Sequence, residues 1–195
     1  MAAWTQAAVN FKDMSAPSIF CAIDTPDLAT ATALAKQISG IGIGIKIGLE
    51  FFSASGAAGI ETLLHDADIS DFFLDLKFHD IPNTVAGAVK AVSHRLKPLY
   101  LNIHAAGGVE MMKAARDVCE PETKLLAVTV LTSLDDAALT SVGQRIPAQD
   151  QVLRLAELTQ KSGLDGVVCS AHEIEALRRA CGKDFVLMVP GIRPL

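Results

Sequence analysis

Asp75, Lys77 and Asp80 lie within F-L-D-L-K-F-H-D-I-P-N-T-V, residues 73–85, and carry the most chemically loaded spacing in the chain. Asp75 and Lys77 are two apart in a β-rich run, so their side chains leave the strand on the same side. That strand reads as buried, which leaves neither charge an easy route to solvent. A carboxylate and an ammonium compensate each other there, each favouring the ionised form of the other. Asp80 follows in the loop that enters the next helix. Read structurally, it is a helix N-cap with the helix starting at Ile81 or Pro82; read chemically, it adds a second carboxylate beside the first pair.

Other polar residues fall at similar places. Lys46 sits in I-G-I-K-I-G with apolar residues or glycine on both sides, either as an exposed edge lysine or as one facing a shared mouth. Asp24 ends C-A-I-D, where an Asx-turn or a cap before the 27–38 helix is the structural alternative. His104 closes N-I-H-A-A-G-G, and a lone histidine is more often structural than catalytic. Gly107 and Gly108 could present backbone N–H groups to a phosphate, but a bare glycine pair is a weak signal. No GxxxxGK[ST], GxSxG or HExxH is present, and the glycines at 40, 42, 44 and 48 do not form GxGxxG. The four cysteines have no CxxC spacing and read as ordinary reduced thiols. These absences weigh against nucleotide-cofactor and zinc chemistry and leave a site made of charged side chains.

The elements that must position these residues alternate along the chain. Strands are expected at 18–24, 42–48, 71–78, 100–106, 125–132, 166–171 and 185–192. Helical patterns lie between them, including T-A-T-A-L-A-K-Q-I, T-V-A-G-A-V-K-A-V-S-H-R-L, V-E-M-M-K-A-A-R-D-V-C, Q-V-L-R-L-A-E-L-T-Q-K-S and H-E-I-E-A-L-R-R-A-C. Strand–helix alternation implies a parallel sheet with right-handed crossovers. Asp24, Lys46, Asp75 with Lys77, His104, Thr132 and Arg193 each sit at or just past the C-terminal end of a different strand. In a closed barrel those ends converge on one mouth; an open sheet would spread them along an edge. The fold expected is therefore an α/β (β/α)8 TIM barrel. Seven strands are counted where such a barrel has eight and typically about 250 residues, so this chain is expected to lack the last strand and helix. Segment 1–17 reads as too polar and irregular to replace that strand.

With 195 residues, half of them apolar, the chain is expected to form a single domain over 1–195. A net charge of −5 speaks against a nucleic-acid footprint. The N-terminus lacks the order of a signal peptide, and no apolar run reaches membrane-spanning length. The expected location is the cytoplasm.

Taken together, these motifs resemble the orotidine 5′-monophosphate decarboxylase family in its bacterial form, from Ile19 to Pro194. D-L-K-F-H-D-I-P-N-T-V matches the family's D-x-K-x-x-D-I-P-x-T signature, supported by A-I-D, I-K-I-G-L-E-F-F, N-I-H-A-A-G-G, V-T-V-L-T-S and P-G-I-R-P. The resemblance implies conversion of orotidine 5′-monophosphate to uridine 5′-monophosphate, the last step of de novo pyrimidine synthesis, with no cofactor. It implies a homodimer with shared sites, in which Lys46, Asp75, Lys77 and the partner subunit's Asp80 form an alternating-charge chain. Lys77 would stabilise and protonate the C6 carbanion. Asp24, Lys46 and the partner subunit's Thr84 would hold ribose hydroxyls, Thr132 would contact the pyrimidine, and Arg193 would lie near the phosphate. The family's mobile phosphate-gripping loop and its final Gly-Arg contact have no counterpart in this sequence. Two alternatives stand beside this reading. One is a magnesium-dependent sugar-phosphate decarboxylase or hexulose-phosphate synthase, which usually carries a glutamate where Lys46 stands. The other is a truncated, non-catalytic barrel.

Overall fold

A computed structural model describes residues 17–193; most of segment 1–17, and Pro194 at the end of the family resemblance, lie outside the described residues. The element order is β1 (Phe20–Ile23), α1 (Leu28–Ile38), β2 (Gly44–Gly48), α2 (Leu49–Ala67), β3 (Phe72–Phe78), α3 (Pro82–Leu96), β4 (Tyr100–His104), α4 (Gly108–Val118), β5 (Lys124–Val128), α5 (Asp136–Ser141), α6 (Ala148–Lys161), β6 (Gly166–Val168), α7 (Ile174–Cys181) and β7 (Val186–Met188). The seven strands pair in chain order, every pair parallel. They form a half-barrel whose described edges are β1 and β7.

Each strand serves two apolar layers. Ile45, Ile47, Leu74, Leu101, Ile103, Leu125 and Ala127 point toward the helices and pack with Ala31, Ile60, Val89 and Met111. On the other face Phe73, Tyr100, Leu126, Val128 and Val168 pack against Phe20, Val186 and Met188. Burial on both faces is why these strands read as apolar runs rather than alternations. Phe20, Phe73 and Tyr100 meet edge to face, with ring centroids 5.5 to 6.3 Å apart, and fill the inner face below the charged residues.

Helix starts follow local chemistry. Asp27 caps α1 by accepting from the Thr30 N–H at 2.8 Å, and Asp135 caps α5 from the Ala138 N–H at 2.8 Å. Pro82 opens α3, where a missing N–H costs nothing. Ser170 and Glu173 form a reciprocal capping box ahead of α7. All four cysteines are free; Cys119, Cys169 and Cys181 are buried, and burial, with the nearby Glu173 charge, pushes the Cys169 thiol to about 12. The three buried thiols act as small packing residues.

Several expected boundaries are corrected. The strand expected at 125–132 stops at Val128, so Thr132 does not end it but sits in a turn further on. The strands expected to reach 171 and 192 stop at Val168 and Met188, and Ala105–Gly107 forms a 3₁₀ turn rather than strand. A strand ends where its neighbour stops offering ladder partners, which a single segment does not encode. Helices α2 and α5 join those named from the sequence; α2 is broken at Gly56, whose φ of 61° leaves the helical region.

Strands β6 and β7 approach so closely at Gly166 that an added Cβ would strike the Val186 backbone carbonyl. Gly166→Ala is expected to push β7 away and to destabilise the fold by about 1–3 kcal/mol, the usual cost of overpacking. Urea unfolding and amide exchange at β7 check this; an unchanged midpoint would contradict it.

Candidate active site

Polar residues gather at the C-terminal ends of the first four strands. Lys46 lies opposite Ala22 of β1 and Phe73 of β3 in the ladder. Its Nζ is 3.6 Å from Asp24 Oδ1 and 3.4 Å from Asp75 Oδ2. Asp75 Oδ1 in turn accepts a hydrogen bond from Lys77 Nζ at 2.6 Å. Asp24, Lys46, Asp75 and Lys77 therefore form one continuous chain of alternating charge across three strands. Its middle is sheltered: the Asp75 side chain is 13% exposed, whereas that of Asp24 at the outer end is 70% exposed.

Strand β3 reaches this geometry through an irregularity. Leu74 pairs with Leu101 and Phe78 with Ile103, so Asp75, Leu76 and Lys77 stand opposite the single residue Asn102. The slip is even, which preserves the faces: Leu74, Leu76 and Phe78 stay with the helix-side core, and Asp75 and Lys77 stay on the other side. Lys77 takes up the bend with φ 51°. Among the described residues, the other non-glycine residues with positive φ, Asp68 and Lys97, are helix C-caps, where that conformation is ordinary.

Asn102 was not anticipated from the sequence. It is fully buried. Its Nδ2 donates to Asp75 Oδ1 at 2.6 Å, and its Oδ1 accepts from the Lys77 backbone N–H at 2.8 Å. The available signal was a lone amide inside the otherwise apolar run Y-L-N-I. A buried amide needs partners.

These contacts set the ionisation of Asp75. Burial pushes its carboxyl up, but hydrogen bonds from Lys77 and Asn102 and the charges of Lys77 and Lys46 outweigh that, holding it below the usual 3.8. His104 ends β4 with its ring 5.4 Å from that of His79. Burial first, and then the charges of His79 and Lys77, push His104 below its usual 6.5, against a smaller opposing pull from Asp75.

The remaining expected residues do not join the chain of charges. Asp80 is exposed, and its Oδ1 accepts from the Ile81 N–H at 2.6 Å. Ile81, not Asp80, occupies the N-cap position of α3. Thr84 on the first turn of α3, Thr132 in its turn and Arg193 beyond β7 are all exposed. Among the described residues, no group of three or more His, Cys, Asp and Glu is placed to hold a metal ion. Among them, too, no helix is long and apolar enough to cross a membrane.

Comparison with known proteins places this arrangement in context. Residues 17–195 match the model of the family described as "Orotidine 5′-phosphate decarboxylase / HUMPS family". The chain is 50% identical over 190 residues to a Rhodospirillum rubrum protein named orotidine 5′-phosphate decarboxylase, covering 93% of this chain and 76% of that one. It is 48% identical over 181 residues to the Haemophilus influenzae (strain PittEE) protein of the same name, covering 91% and 77%. Among solved structures, orotidine 5′-phosphate decarboxylase from Lactobacillus acidophilus superposes with a TM-score of 0.81 at 37% identity, covering 92% of this chain and 83% of that one.

The His104 environment has a measurable consequence. Its folded pKa lies below its unfolded one, so the unfolded chain binds more protons below pH 6.5. The stability this group contributes is complete above pH 6.5 and is lost as pH falls through the lower folded value. An NMR titration of the histidine rings should give His104 a midpoint below 6.5; a midpoint at or above that value would contradict the burial described.

Proposed function

The chain belongs to the orotidine 5′-phosphate decarboxylase / HUMPS family, and from that premise we propose that it converts orotidine 5′-monophosphate to uridine 5′-monophosphate and CO₂ in pyrimidine biosynthesis. Relatives about half identical to it carry the decarboxylase name. The observation that supports the chemistry best is the Asp24–Lys46–Asp75–Lys77 chain of charge at the strand ends. Lys46 stands in it where the magnesium-dependent relatives anticipated from the sequence would have a glutamate.

In the proposed reaction the bond between C6 and the carboxylate carbon breaks, CO₂ departs, and the electron pair remains on C6. The pyrimidine ring delocalises that charge poorly. The Lys77 ammonium stabilises it and transfers a proton to C6, giving the C6–H of the product; solvent then reprotonates Lys77. Asp75 keeps Lys77 ionised and aimed. It would also lie close to the substrate carboxylate. Asp24 and Lys46 bind the ribose hydroxyls. Thr132 and Arg193, both exposed, reach the pyrimidine and the phosphate once substrate is seated.

The proposal includes a homodimer working in the cytoplasm without a cofactor. Asp80, just before α3, and Thr84, on its first turn, lie exposed, and among the described residues neither is ion-paired or hydrogen-bonded to the chain of charges. Their exposure supports a role at a neighbouring subunit's site, where the partner subunit's Asp80 would extend the alternation beyond Lys77.

Two measurements test this. Lys77→Ala should lower CO₂ release from orotidine 5′-monophosphate by roughly 10²–10⁴-fold, the value of a positioned acid, while the protein remains folded. Retention of more than about a tenth of the activity would remove Lys77 from its role. Separately, inactive Lys77→Ala and Asp80→Ala proteins, mixed and allowed to exchange subunits, should recover up to about a quarter of wild-type activity. Half the dimers are then mixed, and a two-fold interface leaves one of their two sites intact. Mixed dimers that form without regaining activity would assign Asp80 to its own subunit.

A further inference from the structure

We propose that Asn102 is a positioning residue for the decarboxylation: its amide holds Lys77 in a left-handed backbone conformation and thereby aims the ammonium. The inference rests on the functional reading above and adds to it a residue that does not touch the reacting atoms.

The argument starts from the backbone. A non-glycine residue at φ 51° is uncommon, and inside a strand it survives only where its surroundings over-determine it. Lys77 has no helix terminus to account for the conformation. The bulge also removes the ladder partner that its N–H would have found on β4, because three residues of β3 face one residue of β4 there. A buried N–H without a partner is costly. Asn102 supplies the missing acceptor through its side chain, Oδ1 to the Lys77 N–H at 2.8 Å. The same amide donates to Asp75 Oδ1 at 2.6 Å, the oxygen that Lys77 Nζ also approaches at 2.6 Å.

One planar group thus fixes both ends of the Lys77–Asp75 unit. Its two hydrogen bonds run in opposite senses, and the amide meets both from two separate atoms, accepting at Oδ1 and donating from Nδ2. A carboxylate at this position would accept from the Lys77 N–H but repel Asp75. An aliphatic residue would satisfy neither. Asn102 is fully buried on β4 between Leu101 and Ile103, both without exposure, so its plane has little freedom to rotate.

Asp75 is faced by Lys46 from β2, by Lys77 from its own strand and by Asn102 from β4, with Asp24 behind Lys46, His104 close enough to feel the charges of Lys77 and Asp75, and His79 with its ring beside that of His104. Removing the Asn102 donor leaves burial less opposed, so the Asp75 carboxyl titrates higher and the acid limb of the rate profile moves to higher pH. A purely structural asparagine would not move that limb.

The test compares wild type with Asn102→Ala and the near-isosteric Asn102→Asp, each shown to be folded by circular dichroism. Expected is a fall of about 10- to 100-fold in kcat, the span for losing a hydrogen bond to a charged group. KM should change less than kcat, and the acid limb should shift upward. Amide exchange supplies a reading independent of turnover: the Lys77 N–H should be protected in wild type and exchange at least about tenfold faster in Asn102→Ala, with Leu101 unaffected. If either folded variant keeps kcat within about threefold of an active wild type, or if Lys77 protection is unchanged, the positioning role is overturned. Wild type that does not turn over orotidine 5′-monophosphate would instead overturn the functional reading, and the exchange measurement would still decide the fate of Asn102.

Discussion

An ionised carboxylate is expensive to bury, and Asp75 makes that cost tolerable by never standing alone. One of its oxygens is shared by the Lys77 ammonium and the Asn102 amide, and the other faces Lys46. Each partner comes from a different place: β2, β3 itself and β4. The compensation therefore exists only when three neighbouring strands are in register. Removing one partner would leave a buried charge under-compensated, which is far more damaging than losing an exposed pair. The site and the sheet are in this sense one structure, because the charges need the strands and the strands must accommodate the charges.

The accommodation is visible in the two-residue slip of β3 against β4. A regular ladder would carry Lys77 along in extended conformation. The bulge instead turns Lys77 to φ 51° while keeping Leu74, Leu76 and Phe78 in the helix-side core. Bulges are found where a side chain must be re-aimed near an active site. Here the strain concentrates on the residue assigned the chemistry, and the neighbouring strand provides its support.

The opposite ends of the strands are organised for a different purpose. Arg116 bonds Asp165 at 3.0 Å and donates to backbone carbonyls of Cys119, Glu120 and Thr123, while Asp165 accepts from the Leu125 N–H at 2.8 Å. These contacts tie α4, the loop into β5 and the loop before β6 together. They satisfy backbone groups rather than present charge to a ligand. The division matches the general rule for parallel barrels, with stability at the N-terminal ends of the strands and chemistry at their C-terminal ends. Between the two ends lies the aromatic trio of Phe20, Phe73 and Tyr100, an apolar floor beneath the charged residues.

Much of this was legible in the amino-acid sequence, for local reasons. Strands buried on both faces must be apolar runs, and the edge strands β1 and β7 are apolar too, so all seven could be found without a partner in view. The two-residue period of a strand put Asp75 and Lys77 on one side, a charge after an apolar run marked the strand end at Asp24, and a lone lysine in I-G-I-K-I-G marked Lys46. The D-x-K-x-x-D-I-P-x-T signature pointed to the family that the relatives then showed. Other features depended on groups distant in the chain. Val128, not Thr132, ends β5 because the ladder to β6 stops there. Lys77 adopts a glycine-like φ although no glycine signals it, because Asn102, 25 residues away, satisfies its N–H. Residue types and local periods thus determined which charges the chain has and which face they take. Only the packing of β2, β3 and β4 decided their distances, because a hydrogen bond across strands is set by register, and register belongs to the sheet rather than to any one segment.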